Sequence, residues 1–583
     1  MAVVSESWAT LWEAMADALG ERTAVVVGDH RMAWAVLDDR AARLASALAA
    51  FGVGSGDRVA QLLFNGPEYL ETVYAALKCR ATPVNVNYRY QSEEIAHVLG
   101  DSGAKVLVVH RSLAARLDPV RWRLAALRAV VVVDDGAVDT PAADAPGPDA
   151  PGAAARGPDR AHRYEELIAA HGPAARLTRS GDDTLVLYTG GTTGLPKGVV
   201  WPHRSLFGSL AVSAYGAFGY PVPETAAEVG RIAAELAAAG RSPVNLCAPP
   251  LMHGTALFLA MGTFVLGGTV VLLSGRRFDP DELLGLVGRE RVTQISLVGD
   301  AFALPLAAAL DRAEAEGHPY DMSSLSRLVS SGAIFSAPAK RAFTGRGPIE
   351  VLDLLGASEG GPYAISVSPA GREPLDTAVF CAAPSTVLFD DATWRPMAWG
   401  TGRPGVLAVS GPMPSAYWND PERSARTFRR IDGVDYTMPG DYALVDADGT
   451  VHLLGRGSIC INTGGEKVYP EEVEVVIRTL EGVSDALVVG VPDDRLGEVV
   501  AAVVAVAPGA VLDEAAVAAA VRARLAAYKA PRQVVFVDEV RRSPSGKADY
   551  RWARAAVATG PADHARSGAL DGATRVGDNL PNS

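Results

Sequence analysis

The apolar run Leu185-Val186-Leu187-Tyr188 passes directly into Thr189-Gly190-Gly191-Thr192-Thr193-Gly194-Leu195-Pro196-Lys197-Gly198. The run predicts a buried strand. The glycines after it free the backbone to turn its amide N–H groups toward an anion, the threonines add hydroxyl donors, and Lys197 adds a cation. A strand feeding such a loop is a phosphate cradle. It is not a Walker A loop, which has Gly before the Lys and Ser or Thr after it. Pro196 and Gly198 flank Lys197 instead, and that disfavours a P-loop NTPase fold. Taken by itself, the loop also reads as a plain flexible turn.

The surrounding pattern is that of an α/β protein. Leu37, Leu44, Leu48 and Phe51 share one face at helical spacing, with Gly52 as a stop. Residues 59–64 predict a buried strand, a helix pattern follows to Cys79, and 105–109 predict a further strand. Strands alternating with helices imply a parallel sheet covered on both faces. Residues 134–160 are rich in Pro, Ala, Gly and Asp and are expected to be a disordered insertion. The strand–helix pattern resumes near Thr184 and runs to Leu454, so residues 1–456 read as one large domain. Residues 457–458 then read as a hinge and 459–558 as a small α+β lobe. Its order is helix (471–480), strand (486–491), strand (499–506), helix (512–527) and strand (533–537). The tail, 559–583, is expected to be disordered.

The net charge of -13 argues against a general nucleic-acid binder but not against ATP, whose phosphates need only local amides and one or two cations. Cys79, Cys247, Cys381 and Cys460 lack CxxC spacing, which points to a reducing, cytoplasmic setting. Residues 256–273 are uncharged. Gly267-Gly268 splits them into a helical half and a β-branched half, so a buried helix, turn and strand are expected rather than a membrane span.

Three segments, YTGGTTGLPKGVVWPH, GRGSICINTGGEKVYPEEVE and RRSPSGKADYRWA, resemble in order and spacing the signatures of the adenylate-forming superfamily: acyl-CoA synthetases, nonribosomal adenylation domains and beetle luciferases. The likeness extends over about residues 11–556. It is most similar to bacterial fatty-acyl and steroid-side-chain CoA synthetases. The implied fold is a large adenylate-forming domain of mixed, mainly parallel βα layers with a small mobile C-terminal lobe. The implied co-substrates are ATP and coenzyme A, with Mg²⁺, acting on a small-molecule acid; a homodimer is compatible with the resemblance.

The resemblance carries roles to individual residues. Thr189 to Gly194 and Lys197 would cradle ATP phosphates. Gly332-Ala333 resembles the adenine-side segment, otherwise a strand end and turn. Asp353-Leu354-Leu355-Gly356-Ala357-Ser358-Glu359-Gly360 resembles the motif that frames ATP and Mg²⁺, which implies nucleotide contacts for Asp353, Leu355, Gly356 and Ala357; in it Glu359 matches the Mg²⁺-holding carboxylate and Ser358 the hydroxyl at the α-phosphate. Leu355 replaces a frequent aromatic, and Gly360 stands where many relatives have Thr. Asp441, in Pro439-Gly440-Asp441, matches the ribose acceptor, although PGD is also an ordinary turn; Arg456 matches its partner. Ser458 stands at the hinge position. Lys547, in Ser543-Pro544-Ser545-Gly546-Lys547, matches the adenylation lysine. Gly464, Gly465 and Lys467 match the coenzyme A stage, or else form the polar start of the helix begun at Pro470. His253, Gly254 and Phe258 match the acyl channel, with His253 as a wall and not a base.

These matches favour acid activation through an acyl-adenylate followed by thioester formation on a fatty, steroid-like or aryl acid. A second reading keeps adenylation but has a small acid such as nitrite, or a carboxylate, passed to an amine without coenzyme A. A third is a binding protein that has lost catalysis.

Overall fold

The computed structural model describes residues 6–136 and 161–560, apart from short interruptions at 192–193, 464–465, 494–495 and 543–546. The expected insertion therefore lies outside the described residues from 137 onward, as does the tail from 561. Asp135, at the start of the insertion, is held by Arg276 at 2.7 Å. The described chain forms two compact units. One comprises chiefly Met1–Pro439 and Leu444–His452, the other Gly440–Ala443, Leu453–Ser543 and Lys547 onward.

The large unit carries two sheets whose central strands are parallel. In one, Thr184–Gly191, Thr82–Asn85, Arg58–Leu62, Val106–His110, Ala129–Val133 and Ala161–Arg163 run parallel in that order. In the other, the parallel order is Thr23–Val27, Thr269–Leu272, Val244–Cys247, Gln294–Leu297, Arg327–Ser331 and Glu350–Ala357. Crossover helices cover these strands, which is why strands such as Val106–His110 are buried throughout. After Glu350–Ala357 no long helix intervenes, and the chain returns directly as Gly360–Ser368. Pairing there is antiparallel, as a short connection requires.

The uncharged stretch is a helix, Gly254–Phe264, then a turn and the strand Thr269–Leu272. Among the described residues no helix is long and apolar enough to cross a membrane. The N-terminal helix Trp8–Leu19 is capped by Ser7, and it buries Trp8 and Trp12 completely against Tyr74, Phe207 and Phe264.

The small unit has Val483–Asp493 antiparallel to Gly497–Val506, with Gln533–Val537 parallel to the latter. The helices Pro470–Arg478 and Glu514–Arg524 bury Val473, Ile477, Val517 and Val521 in one core. A last helix, Tyr550–Thr559, buries Ala553 and Ala556 in a second. Two short strands, Ile461–Thr463 and Glu466–Val468, pair as a hairpin; three residues each are too few to show a period in sequence.

Candidate functional site

The glycine-rich segment is an antiparallel hairpin. The strand Thr184–Gly191 does not stop at Tyr188 but pairs on with Gly194–Pro202, placing Thr189 opposite Lys197 and Gly191 opposite Gly194 across a bulge beyond Thr189. Thr192 and Thr193, at the tip, lie outside the described residues. Gly198 is required by space: a Cβ there would lie 2.7 Å from Val186 and 2.9 Å from Tyr188.

The hairpin brings Lys197 to Glu359, 162 residues away, with Nζ 2.7 Å from Oε1. Tyr417 completes a triangle. Its hydroxyl accepts from Lys197 at 2.8 Å and donates to the same Glu359 oxygen at 2.6 Å. Burial first, and then the Glu359 charge, raise the Tyr417 pKa and keep the phenol protonated. Two further contacts fix the turn carrying Glu359. The Trp201 indole donates to the Ser358 carbonyl at 2.9 Å, and the Thr437 hydroxyl donates to the Glu359 carbonyl at 2.8 Å. The sequence carries no individual role to Tyr417, Trp201 or Thr437; strand pairing places them here.

The other expected nucleotide segments gather at the carboxyl ends of the parallel strands, where ligands of open α/β sheets bind. Gly332 and Ala333 follow the strand Arg327–Ser331, and Ser331 Oγ donates to the Leu354 carbonyl at 2.8 Å. Leu355, Gly356 and Ala357 end the strand Glu350–Ala357. Asp353, two residues earlier in the same strand, points elsewhere. Its side chain is buried and ion-paired with Lys340 at 2.8 Å, so it offers a nucleotide no carboxylate. Burial raises its pKa to about 6 even though Lys340 opposes the shift.

His253 precedes the helix Gly254–Phe264 as its N-cap, and Phe258 meets Trp201 edge-on at 5.8 Å. A Cβ on Gly254 would stand 2.9 Å from Leu187. The space of a side chain at Gly360 is already filled: a Cβ would sit 2.7 Å from the Thr437 methyl, and φ is +141°. Thr437 therefore occupies the volume a threonine at 360 would take. Gly360→Ala is expected to cost about 1–3 kcal/mol in backbone strain alone, read as a lower Tm in thermal unfolding. An unchanged Tm would show that the turn tolerates a side chain.

The small unit carries the remaining expected residues. Asp441 begins the strand Asp441–Val445 and Arg456 ends Thr450–Arg456. Of the glycines flanking Arg456, Gly455 has φ +124°, where a Cβ would also displace the Glu471 carboxylate, and a Cβ on Gly457 would lie 2.5 Å from the Tyr442 ring. Ser458 sits in the 3₁₀ turn Gly457–Ile459. Gly464 and Gly465 lie outside the described residues, but the strands around them pair Thr463 with Glu466 and Asn462 with Lys467. Lys467 is thus in a strand, not at the start of the helix, which begins at Pro470. Lys547 is exposed, beside an antiparallel bridge between Arg542 and Ala548. Arg542 is itself tied to Asp485 at 2.5 and 2.8 Å.

Among the described residues no three His, Cys, Asp or Glu side chains form a metal-binding group. The buried Glu359 carboxylate, beside the glycine-rich hairpin, suits Mg²⁺ that arrives on a nucleotide, because that ion takes one or two carboxylates plus phosphate oxygens.

Comparison with known proteins agrees with this geometry. The family described as AMP-binding enzyme matches residues 12–418, and the AMP-binding enzyme C-terminal domain matches 472–547. A 3-oxocholest-4-en-26-oate–CoA ligase of Rhodococcus rhodochrous is 37% identical over 98% of this chain and 99% of that protein. A medium/long-chain-fatty-acid–CoA/3-oxocholest-4-en-26-oate–CoA ligase of Mycobacterium tuberculosis is 38% identical over 96% and 98%. Among solved structures, ATP-bound MatB from Rhodopseudomonas palustris is 26% identical with a TM-score of 0.74, covering 94% of this chain and 98% of that one.

Proposed function

This chain belongs to the AMP-binding enzyme family, and on that premise we propose that it is an acyl-CoA synthetase for a fatty or steroid-like carboxylic acid. Two relatives of near-identical length, at 37% and 38% identity, are named as coenzyme A ligases of such acids, and they support this substrate class. The observation that carries the reading is the Lys197–Glu359 pair, 2.7 Å apart, on the phosphate-type hairpin at the carboxyl ends of the parallel strands.

In the first step the acid's carboxylate oxygen attacks the α-phosphorus of ATP, and the bond to pyrophosphate breaks. Both reactants are anionic, so the protein's task is to align them and offset charge. Lys197 leaves Glu359 for the phosphates, and the hairpin amides face the same anion. Mg²⁺ carried by ATP would supply further charge neutralisation, with Glu359 as its protein ligand. Asp441 accepts from the ribose hydroxyls, and Lys547 supplies the second cation. In the next step the coenzyme A thiolate attacks the acyl carbonyl and AMP departs, with Gly464, Gly465 and Lys467 serving that stage. The absence of disulfides among the described residues suits a reducing cytoplasm.

A pyrophosphate-release screen over fatty, steroid, aryl and inorganic acids, run with coenzyme A, with amines and with neither, tests the reading. Fatty or steroid acids are expected to release pyrophosphate and to consume coenzyme A thiol. Turnover of a small acid with amine and without thiol loss would replace the proposal.

A further inference from the structure

Tyr417 lies on the two-residue strand Ala416–Tyr417, which pairs antiparallel with the hairpin strand carrying Lys197, opposite Val199. Backbone bonds clamp both sides of it: Ser415 N donates to the Val200 carbonyl at 2.9 Å and Trp418 N to the Gly198 carbonyl at 2.7 Å. Its own amide donates to Ser424 Oγ at 2.8 Å. The ring is buried, packs on Phe428 at 5.4 Å, and lies 4.3 Å under the Lys197 ammonium. Few degrees of freedom remain for the hydroxyl, and it reaches both Lys197 and Glu359.

We propose that Tyr417 is a positioning residue that acts through Glu359: its phenol pins one carboxylate oxygen so that the other stays turned toward the metal on the incoming nucleotide. The proposal rests on the reading of Lys197 and Glu359 given above. The phenol's bonding supports it. A protonated hydroxyl can accept from Lys197 and donate to Glu359 together. When Lys197 swings to phosphate, the bond from Tyr417 to Glu359 survives and goes on orienting that oxygen. Without it, Oε1 of the buried Glu359 side chain loses a contact that helps fix its orientation, and a metal-bound nucleotide would have to order that oxygen itself.

The test compares Tyr417→Phe with the parent, because Phe keeps the ring packing and removes only the hydroxyl. Calorimetric binding of α,β-methylene-ATP, with and without Mg²⁺, gives the affinity gained from the metal. Loss of a hydrogen bond to a charged group corresponds to about tenfold or more. The metal-dependent gain is therefore expected to shrink about tenfold in the variant, while metal-free affinity changes little. A merely structural role would instead lower both affinities together. In the Glu359→Gln background, adding Tyr417→Phe is expected to change nothing further, the signature of action through that carboxylate. An undiminished metal gain in a folded Tyr417→Phe protein, or full additivity with Glu359→Gln, would overturn the proposal. Failure of the underlying reading looks different: Glu359→Gln alone would then leave the metal-dependent gain intact.

Discussion

Replacing Lys547 by alanine is expected to slow acyl-adenylate formation by about 10²–10³, the usual consequence of deleting one group aimed at developing transition-state charge. The loss should fall on chemistry and not on nucleotide affinity, because Lys197 and the hairpin amides remain. Lys547 is exposed, so its removal empties no core, and circular dichroism and Tm should match the parent. Nearby, Arg542 bridges to Ala548 and is fastened to Asp485 at 2.5 and 2.8 Å. ATP–pyrophosphate exchange measures the first step in isolation. Chemically supplied acyl-adenylate should still be converted to thioester, since no pyrophosphate leaves in that step. Exchange within threefold of the parent would remove Lys547 from the mechanism.

The largest stability effect is expected at Lys340. This side chain is fully buried, pairs with Asp353 at 2.8 Å, and contacts Ser366 at 3.4 Å. It ties the helix Ala337–Thr344 to the strand that leads into the Glu359 turn. Lys340→Met keeps the volume but leaves the Asp353 carboxylate buried without a counter-charge, at a cost of about 3–5 kcal/mol near neutral pH. The sign of the pH dependence follows from burial. The folded pKa of Asp353 is already raised to about 6 from 3.8, and losing Lys340 removes a cause that lowers it. A raised carboxyl pKa means that the folded state holds its proton longer. The penalty is then small below about pH 4, where the acid is neutral in both states, and grows as pH rises through the folded value. Denaturant unfolding at pH 5 and pH 8 checks this. Lys340→Met/Asp353→Leu should recover most of the loss, because an apolar pair of similar volume replaces a desolvated one. Equal penalties at both pH values would show that Asp353 is not the group exposed by the change.

Several expectations were legible because they depend on short stretches of chain. The uncharged segment with Gly267-Gly268 at its middle became a helix, a turn and a strand, since two adjacent glycines separate two different periodicities. The small-lobe elements appeared in the expected order because each is long enough to show its period. The strand Val483–Asp493 nevertheless extends well beyond 486–491; its pairing with Gly497–Val506 carries it through polar residues whose side chains show no alternation. The glycines predict a loop from Thr189, yet strand pairing continues to Gly191. Pairing energy comes from the partner strand, which lies later in the chain.

The amino-acid order by itself determined the alternation of strands and helices and family membership, both of which reside in local pattern or in motifs at fixed spacing. Only the tertiary structure decided which charges meet. Lys197 finds Glu359 and Tyr417 across 162 and 220 residues, while Asp353, six positions before Glu359, turns inward to Lys340. Successive side chains of a strand point to opposite faces, and the helices packed on each face settle whether a carboxylate is left for a ligand or must be neutralised in the core.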